Sequence, residues 1–250
     1  MSVIYALILF LSAFGGGLVF LYFPGMRKVN FRNILMLAGS FLFSITIVHI
    51  LPEVYNDFPE PAIIGIFILA GFFLQLILAF FSRGIEHGHI HTHTSENDAH
   101  FHTAEVMSLM IGLGVHSFLE GMILSQPADP AFNHHSEGIL LGILLHKVPA
   151  AFSLMALLYY SHLKRAGILT NLILFSLASP AGLFFNHFIN LHSGLPGHYV
   201  SILYGVVSGT FLYISTTIFF ESSPGHHFNP KKLLFAFAGG ALAIAVELLL

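Results

Sequence analysis

Long apolar runs alternate with short polar connections along the whole chain. A helix needs about 20 mostly apolar residues to cross a bilayer. Eight runs meet this length, at 3–23, 34–54, 62–81, 106–125, 138–160, 167–189, 199–220 and 233–250. We number them spans 1 to 8. The connections leave no room for a soluble domain, so the pattern predicts an all-α integral membrane protein, with 1–250 as one transmembrane domain.

The composition agrees with a membrane location. Hydrophobic residues make up 56% of the chain and charged residues only 8%, whereas soluble domains carry about 25% charged residues. The absence of cysteine excludes disulfides, thiolate metal sites and cysteine nucleophiles. A formal net charge of -3 provides no basic face for nucleic acid. The partner to expect is the lipid bilayer, and 17 histidines remain to be explained.

Basic residues mark the orientation of the chain. Eight of the nine lie in odd-numbered connections: Arg27, Lys28, Arg32, Arg83, Lys164, Arg165, Lys231 and Lys232. The positive-inside rule therefore predicts that these connections are cytoplasmic and that both termini lie outside. Since no basic residue precedes span 1, we expect a true span there and not a cleaved signal peptide. The ninth basic residue, Lys147, lies within span 5.

Spans 4 and 5 carry ionisable residues at similar depth. Such a residue costs about 2.5–3.5 kcal/mol at mid-membrane on insertion scales. His116 and Glu120 are four residues apart and share one helical face. With His146 of span 5 they predict a three-ligand site for Zn²⁺ or another first-row divalent ion, the fourth ligand being water or a side chain. The alternative is a buried His–Glu hydrogen bond that only joins the helices.

Pro149 lies three residues after His146 in span 5. It has no backbone N–H, so it cannot donate a hydrogen bond to the carbonyl of Leu145. One interpretation is a packing kink. The other is an exposed carbonyl that lines an ion path, as in the interrupted helices of transporters. Spans 4 and 5 run in opposite directions and both carry histidine, which indicates an inverted repeat around them.

These motifs resemble those of the ZIP family of divalent metal transporters. His116–Gly121 is similar to the family's span-4 signature of His, Asn, Phe, Pro, Glu or Asp, and Gly. His146–Pro149 is similar to the span-5 signature of His, Lys or Glu, Ile and Pro. Three further segments resemble the family: His49–Glu53 at the end of span 2, Ser179–Gly182 in span 6, and Gly209–Tyr213 in span 7.

The resemblance implies a ZIP-like bundle of eight helices with both termini outside and metal bound between spans 4 and 5. It also implies transport from the outside, or from a vesicle lumen, into the cytoplasm. Two imidazoles favour Zn²⁺ as the transported ion, and Fe²⁺, Mn²⁺, Co²⁺ and Cd²⁺ remain candidates. No prosthetic group is expected.

Four positions depart from the family members that hold two metals. Those members have Asn after the first His, an acid after the second, Glu four residues beyond that His, and Glu before the span-6 Pro. The corresponding residues here are Ser117, Lys147, Ala150 and Ser179. We therefore predict one transported metal, with the Lys147 ammonium in the place of the second. The alternative for Lys147 is an ammonium that snorkels toward a hydrated cavity.

Other histidines and acids lie away from the middle of the membrane. The cytoplasmic connection 84–103 is read as a mobile tether that binds metal weakly, or as a solvated linker; its histidines are His87, His89, His91, His93, His100 and His102. Candidate ligands on the way in are His49 and Glu53, although Glu53 is equally suited to capping a helix end. Candidate ligands on the way out are Glu221, His226 and His227.

Three functions fit these features. The leading hypothesis is a divalent metal uptake transporter with alternating access, either channel-like or proton-linked. An intramembrane metal-dependent hydrolase is a second hypothesis, but the chain has no His-Glu-x-x-His sequence. A metal-sensing membrane protein is the third. The compact, multi-pass chain suits a bacterial inner (plasma) membrane, and a homodimer is left open.

Overall fold

The computed structural model describes residues 2–23, 25, 32–82, 103–125, 136–159, 161, 163–192, 198–221 and 230–249. Within these residues, eight helices are long and apolar enough to cross a membrane, as predicted. Seven spans are single helices: Ser2–Tyr22, Pro61–Ser82, Thr103–Ile123, Ser136–Tyr159, Arg165–His192, His198–Glu221 and Pro230–Leu249. Span 2 consists of an α-helix Arg32–Ile45, a π-helical turn Thr46–Ile50 and an α-helix Leu51–Asp57.

The spans pack most extensively within two sets of four. Spans 1, 4, 5 and 6 form one set, and spans 2, 3, 7 and 8 form the other. Spans 3 and 4 contact each other across the sets, and so do spans 2 and 5. Span 5 lies at the centre, because 78% of its most apolar window is buried, whereas only 11% of that of span 8 is buried. Ionisable residues in span 5 are therefore enclosed by protein.

Glycines let the backbones of neighbouring spans touch. A Cβ atom on Gly121 of span 4 would overlap the carbonyl oxygen of Ser179 in span 6, and one on Gly182 would overlap the backbone of span 4. Spans 3 and 7 cross in the same way at Gly71 and Gly209. Small residues of this kind are a common means of close helix packing in membranes. The contact between spans 4 and 6 brings Ser179 next to the polar residues of span 4.

Pro149 and Pro180 each lie inside a continuous helix, span 5 and span 6 respectively. An irregular turn lies in span 2, where Thr46–Ile50 is π-helical just before Pro52. Such turns insert one extra residue into a helix and occur often at functional sites. This one contains His49.

Candidate metal centre

Three buried side chains of spans 4 and 5 converge on one carboxylate oxygen. Nε2 of His116 lies 2.8 Å from Oε1 of Glu120, one helical turn away, and Nε2 of His146 contacts the same oxygen from span 5. One ligand atom from each residue lies within 4.8 Å of the others. The exposed fractions of the three residues are 3%, 1% and 1%. Among the described residues, this is the group of His, Asp and Glu suited to holding a metal ion.

Each imidazole has an oxygen atom within hydrogen-bond distance on the side away from Glu120. Nδ1 of His116 lies 3.1 Å from Oε1 of Gln75, and Nδ1 of His146 lies 3.0 Å from the carbonyl oxygen of Gly142. Both oxygens can accept an Nδ1–H, and a neutral ring protonated there keeps its lone pair on Nε2. In that tautomer, two imidazole lone pairs and a carboxylate oxygen face one another. A divalent cation among them would turn their repulsion into coordination.

The Lys147 ammonium holds the other oxygen of the same carboxylate. Its Nζ donates to Oε2 of Glu120 at 2.9 Å, to Oγ of Ser117 at 3.1 Å and to Oγ of Ser179 at 2.6 Å. Ser179 in turn donates to the carbonyl of Ser117 at 2.6 Å. All three N–H bonds of the ammonium are used, which offsets part of the cost of burying a charge. Lys147 is 1% exposed, so its ammonium lies among protein groups and not at the surface of the bundle.

Three of the four positions where the sequence departs from two-metal members lie together around this ammonium. Ser117, Lys147 and Ser179 are joined by hydrogen bonds. The fourth, Ala150, is buried and lies four residues after His146 in the same helix. The site therefore has two halves, one with three electron-pair donors and one with a fixed positive charge.

A comparison with known protein families shows to which family the chain belongs. A family model described as ZIP zinc transporter matches residues 82–247, which include every residue of the site just described apart from Gln75. This chain belongs to the ZIP zinc transporter family. ZIP proteins are transporters and not enzymes, so the family excludes the intramembrane hydrolase considered above.

Curated relatives agree with the family. The chain is 30% identical to zinc transporter ZIP9 of Micropogonias undulatus over 162 residues, which cover 62% of this chain and 50% of that protein. It is 27% identical to zinc transporter ZIP9-B of Xenopus laevis over 186 residues, 71% of this chain and 58% of the relative. It is 26% identical to zinc transporter ZIP1 of Danio rerio over 270 aligned positions, 88% of this chain and 86% of the relative. The chain spans about half the length of the ZIP9 proteins.

A second group of ionisable residues joins spans 2 and 8. Nδ1 of His49 lies 3.0 Å from Oε2 of Glu247, and Nε2 lies 3.8 Å from Oε2 of Glu53. His49 is buried, and both acids are partly exposed. Sequence reasoning paired His49 with Glu53 but missed Glu247. The available signal was an acid inside an apolar run, which is costly unless it has a partner.

The other candidate residues fall outside the part of the chain that the structure describes. Span 7 ends at Glu221, whose backbone is described but whose side chain is not. The exit candidates His226 and His227 lie outside the described residues. So do the six histidines of the connection 84–103: His87, His89, His91, His93, His100 and His102. The orientation markers Arg27, Lys28 and Arg83 also lie outside the described residues.

Proposed function

We propose that the protein carries Zn²⁺ into the cytoplasm through a mononuclear site formed by His116, Glu120 and His146. The observation that carries this proposal is the convergence of two Nε2 atoms and one carboxylate oxygen inside the membrane-spanning bundle. Three protein ligands leave a fourth position of a zinc tetrahedron open. An open position allows water or another side chain to bind the ion before a protein ligand is released. An ion that enters and leaves a site must exchange its ligands stepwise in this way.

A single ion occupies the site because Lys147 takes the place of a second one. Its ammonium neutralises Oε2 of Glu120, and the hydroxyls of Ser117 and Ser179 are engaged in binding the ammonium. A second divalent ion at this position would meet a buried positive charge and no further carboxylate. Repulsion between charges is strong at short distance in a medium of low dielectric constant.

The ligand set favours Zn²⁺ over harder cations. Imidazole nitrogen is a borderline ligand that suits first-row transition ions, whereas Mg²⁺ and Ca²⁺ prefer oxygen. Fe²⁺, Mn²⁺, Co²⁺ and Cd²⁺ are the further ions that we propose as substrates. Their order is a question for transport assays, because affinity rarely decides selectivity in a cell.

The inward direction of transport is the one that the resemblance to ZIP transporters implies, and the proposed orientation says which end of the bundle is the entrance. The odd connections, which carry the basic residues, face the cytoplasm, and both termini face outward. In this orientation His49, Glu53 and Glu247 lie at the outer end of the bundle as the access site, while Glu221, His226 and His227 lie at the inner end as exit ligands. Spans 4 and 5, which run in opposite directions, form the centre of the inverted repeat.

Zn²⁺ influx into proteoliposomes tests this function. We expect the wild-type protein to raise influx above that of empty liposomes, and His116→Ala to abolish the increase. His192→Ala is the matched control, because His192 is an exposed histidine near the end of span 6. Influx that is unchanged in His116→Ala would refute the proposed site. Zn²⁺ binding without any flux would favour a metal-sensing membrane protein instead.

A further inference from the structure

We propose that Gln75 is a positioning residue that selects the tautomer of His116 and aims its Nε2 atom at the transported ion. The proposal rests on the function proposed above and adds a residue from outside spans 4 and 5. Gln75 lies in span 3, which belongs to the other set of four helices.

Gln75 is a polar residue in an otherwise apolar span, and its side chain has a hydrogen-bond partner. It is the one polar side chain in the stretch Pro61–Phe81 and is 0% exposed. A buried amide without a hydrogen bond strongly destabilises a protein in an apolar medium, so a partner is expected for it. Its Oε1 lies 3.1 Å from Nδ1 of His116, so the amide oxygen is placed as an acceptor behind a candidate metal ligand.

Two acceptors compete for the single proton of the neutral His116 ring. Oε1 of Gln75 lies 3.1 Å from Nδ1, and Oε1 of Glu120 lies 2.8 Å from Nε2. If the ring proton lay on Nε2 and was donated to Glu120, Nε2 would have no lone pair free to bind a metal. Gln75 shifts the balance toward Nδ1–H and so keeps Nε2 available as a ligand.

His146 does not depend on a side chain in this way. Its Nδ1–H donates to the backbone carbonyl of Gly142, one turn earlier in the same helix. The helix itself thus fixes the tautomer of His146, whereas that of His116 depends on one replaceable residue. Partners of this kind behind a metal-binding histidine change metal affinity by about 10–100-fold when mutated.

Gln75→Met and Gln75→Glu in the full chain, reconstituted in nanodiscs, test the proposal. Methionine has similar length and no strong acceptor, whereas glutamate keeps an oxygen acceptor for Nδ1–H. We expect Gln75→Met to weaken Zn²⁺ affinity about 10–100-fold and to raise KM more than it lowers kcat. In Gln75→Glu, both the Zn²⁺ affinity and the KM should stay close to their wild-type values. In ¹⁵N spectra of labelled histidine, His116 should shift from the Nδ1–H form toward the Nε2–H form in Gln75→Met only.

Asn186→Leu serves as the matched control for losing a buried hydrogen bond between helices. Asn186 of span 6 donates to the carbonyl of Met122 in span 4 at 2.9 Å and touches none of the three ligands. This variant should lower thermal stability while leaving Zn²⁺ affinity and the His116 tautomer unchanged. If Gln75→Met behaves in the same way, Gln75 only joins spans 3 and 4 and the proposal is wrong. If His116→Ala also keeps wild-type Zn²⁺ affinity, the proposed metal site itself has failed.

Discussion

The Lys147 ammonium lies 2.9 Å from Oε2 of Glu120, while Oε1 of the same carboxylate contacts the imidazoles of His116 and His146. One buried carboxylate is thus shared between a fixed cation of the protein and the position that we assign to a transported cation. The fixed charge cannot leave, so it holds the carboxylate in the same position whether or not a metal is present. In the proposed transport cycle, this arrangement keeps the single acid of the site oriented for repeated binding and release.

Replacing Lys147 by methionine should destabilise the metal-free protein. Removing one partner of a buried ion pair leaves an uncompensated charge and costs about 3–5 kcal/mol. Zn²⁺ should recover part of the loss, because it supplies the missing positive charge. Thermal unfolding in detergent with and without Zn²⁺ measures both effects. Lys164→Met, which alters an exposed lysine before span 6, is the control and should be neutral. Equal melting temperatures for both variants would argue against a buried pair.

The number of bound ions should follow the charge at position 147. We expect one tightly held Zn²⁺ per wild-type chain after chelator washing, and a second ion in Lys147→Glu, in which a second carboxylate replaces the ammonium. Elemental analysis of purified protein gives the count. Two tightly held ions in the wild-type protein would contradict the assignment of Lys147 to the second metal's place.

Gly121→Ala should push spans 4 and 6 apart. The new Cβ would overlap the carbonyl oxygen of Ser179, a backbone atom that cannot rotate away. Overpacking of this kind costs about 1–3 kcal/mol, and the shift should also loosen the contact between Ser179 and Lys147. Gly114→Ala lies on the same helix with nothing within 4 Å of its Cβ and is the matched control. Thermal unfolding and Zn²⁺ influx should both fall for Gly121→Ala and neither for Gly114→Ala.

The His49 cluster should affect how the ion reaches the central site. Glu247→Gln removes a charge 3.0 Å from His49, so we expect a higher KM for Zn²⁺ influx with unchanged affinity at the central site. Glu60→Gln, an exposed acid just before span 3, controls for the general loss of surface charge. A similar rise in KM in both variants would show that Glu247 has no specific role.

Much of the fold could be predicted because the bilayer imposes a simple rule on each segment. Hydropathy alone gave the eight spans to within a few residues. It could not predict the π-helical turn at Thr46–Ile50, because packing against neighbouring helices decides such local geometry.

The candidate site was only partly accessible from the sequence. His116 and Glu120 share a face by their spacing, and His146 attracts attention as an ionisable residue in an apolar run. Gln75 escaped notice because its partner is 41 residues away on another helix, a distance that no periodicity encodes. Glu247 could have been singled out as an acid inside an apolar run, but not its pairing with His49, which lies 198 residues before it.

Glu120→Gln gives the most direct test of the central claim, because Glu120 is the residue on which both imidazoles and the lysine converge. The substitution keeps the shape of the side chain and removes its charge. With thermal unfolding as a check that the variant is folded, we predict that Zn²⁺ influx into proteoliposomes falls to the level of empty liposomes. Saturable influx at the wild-type rate and KM in a folded Glu120→Gln protein would contradict a transport site built on His116, Glu120 and His146.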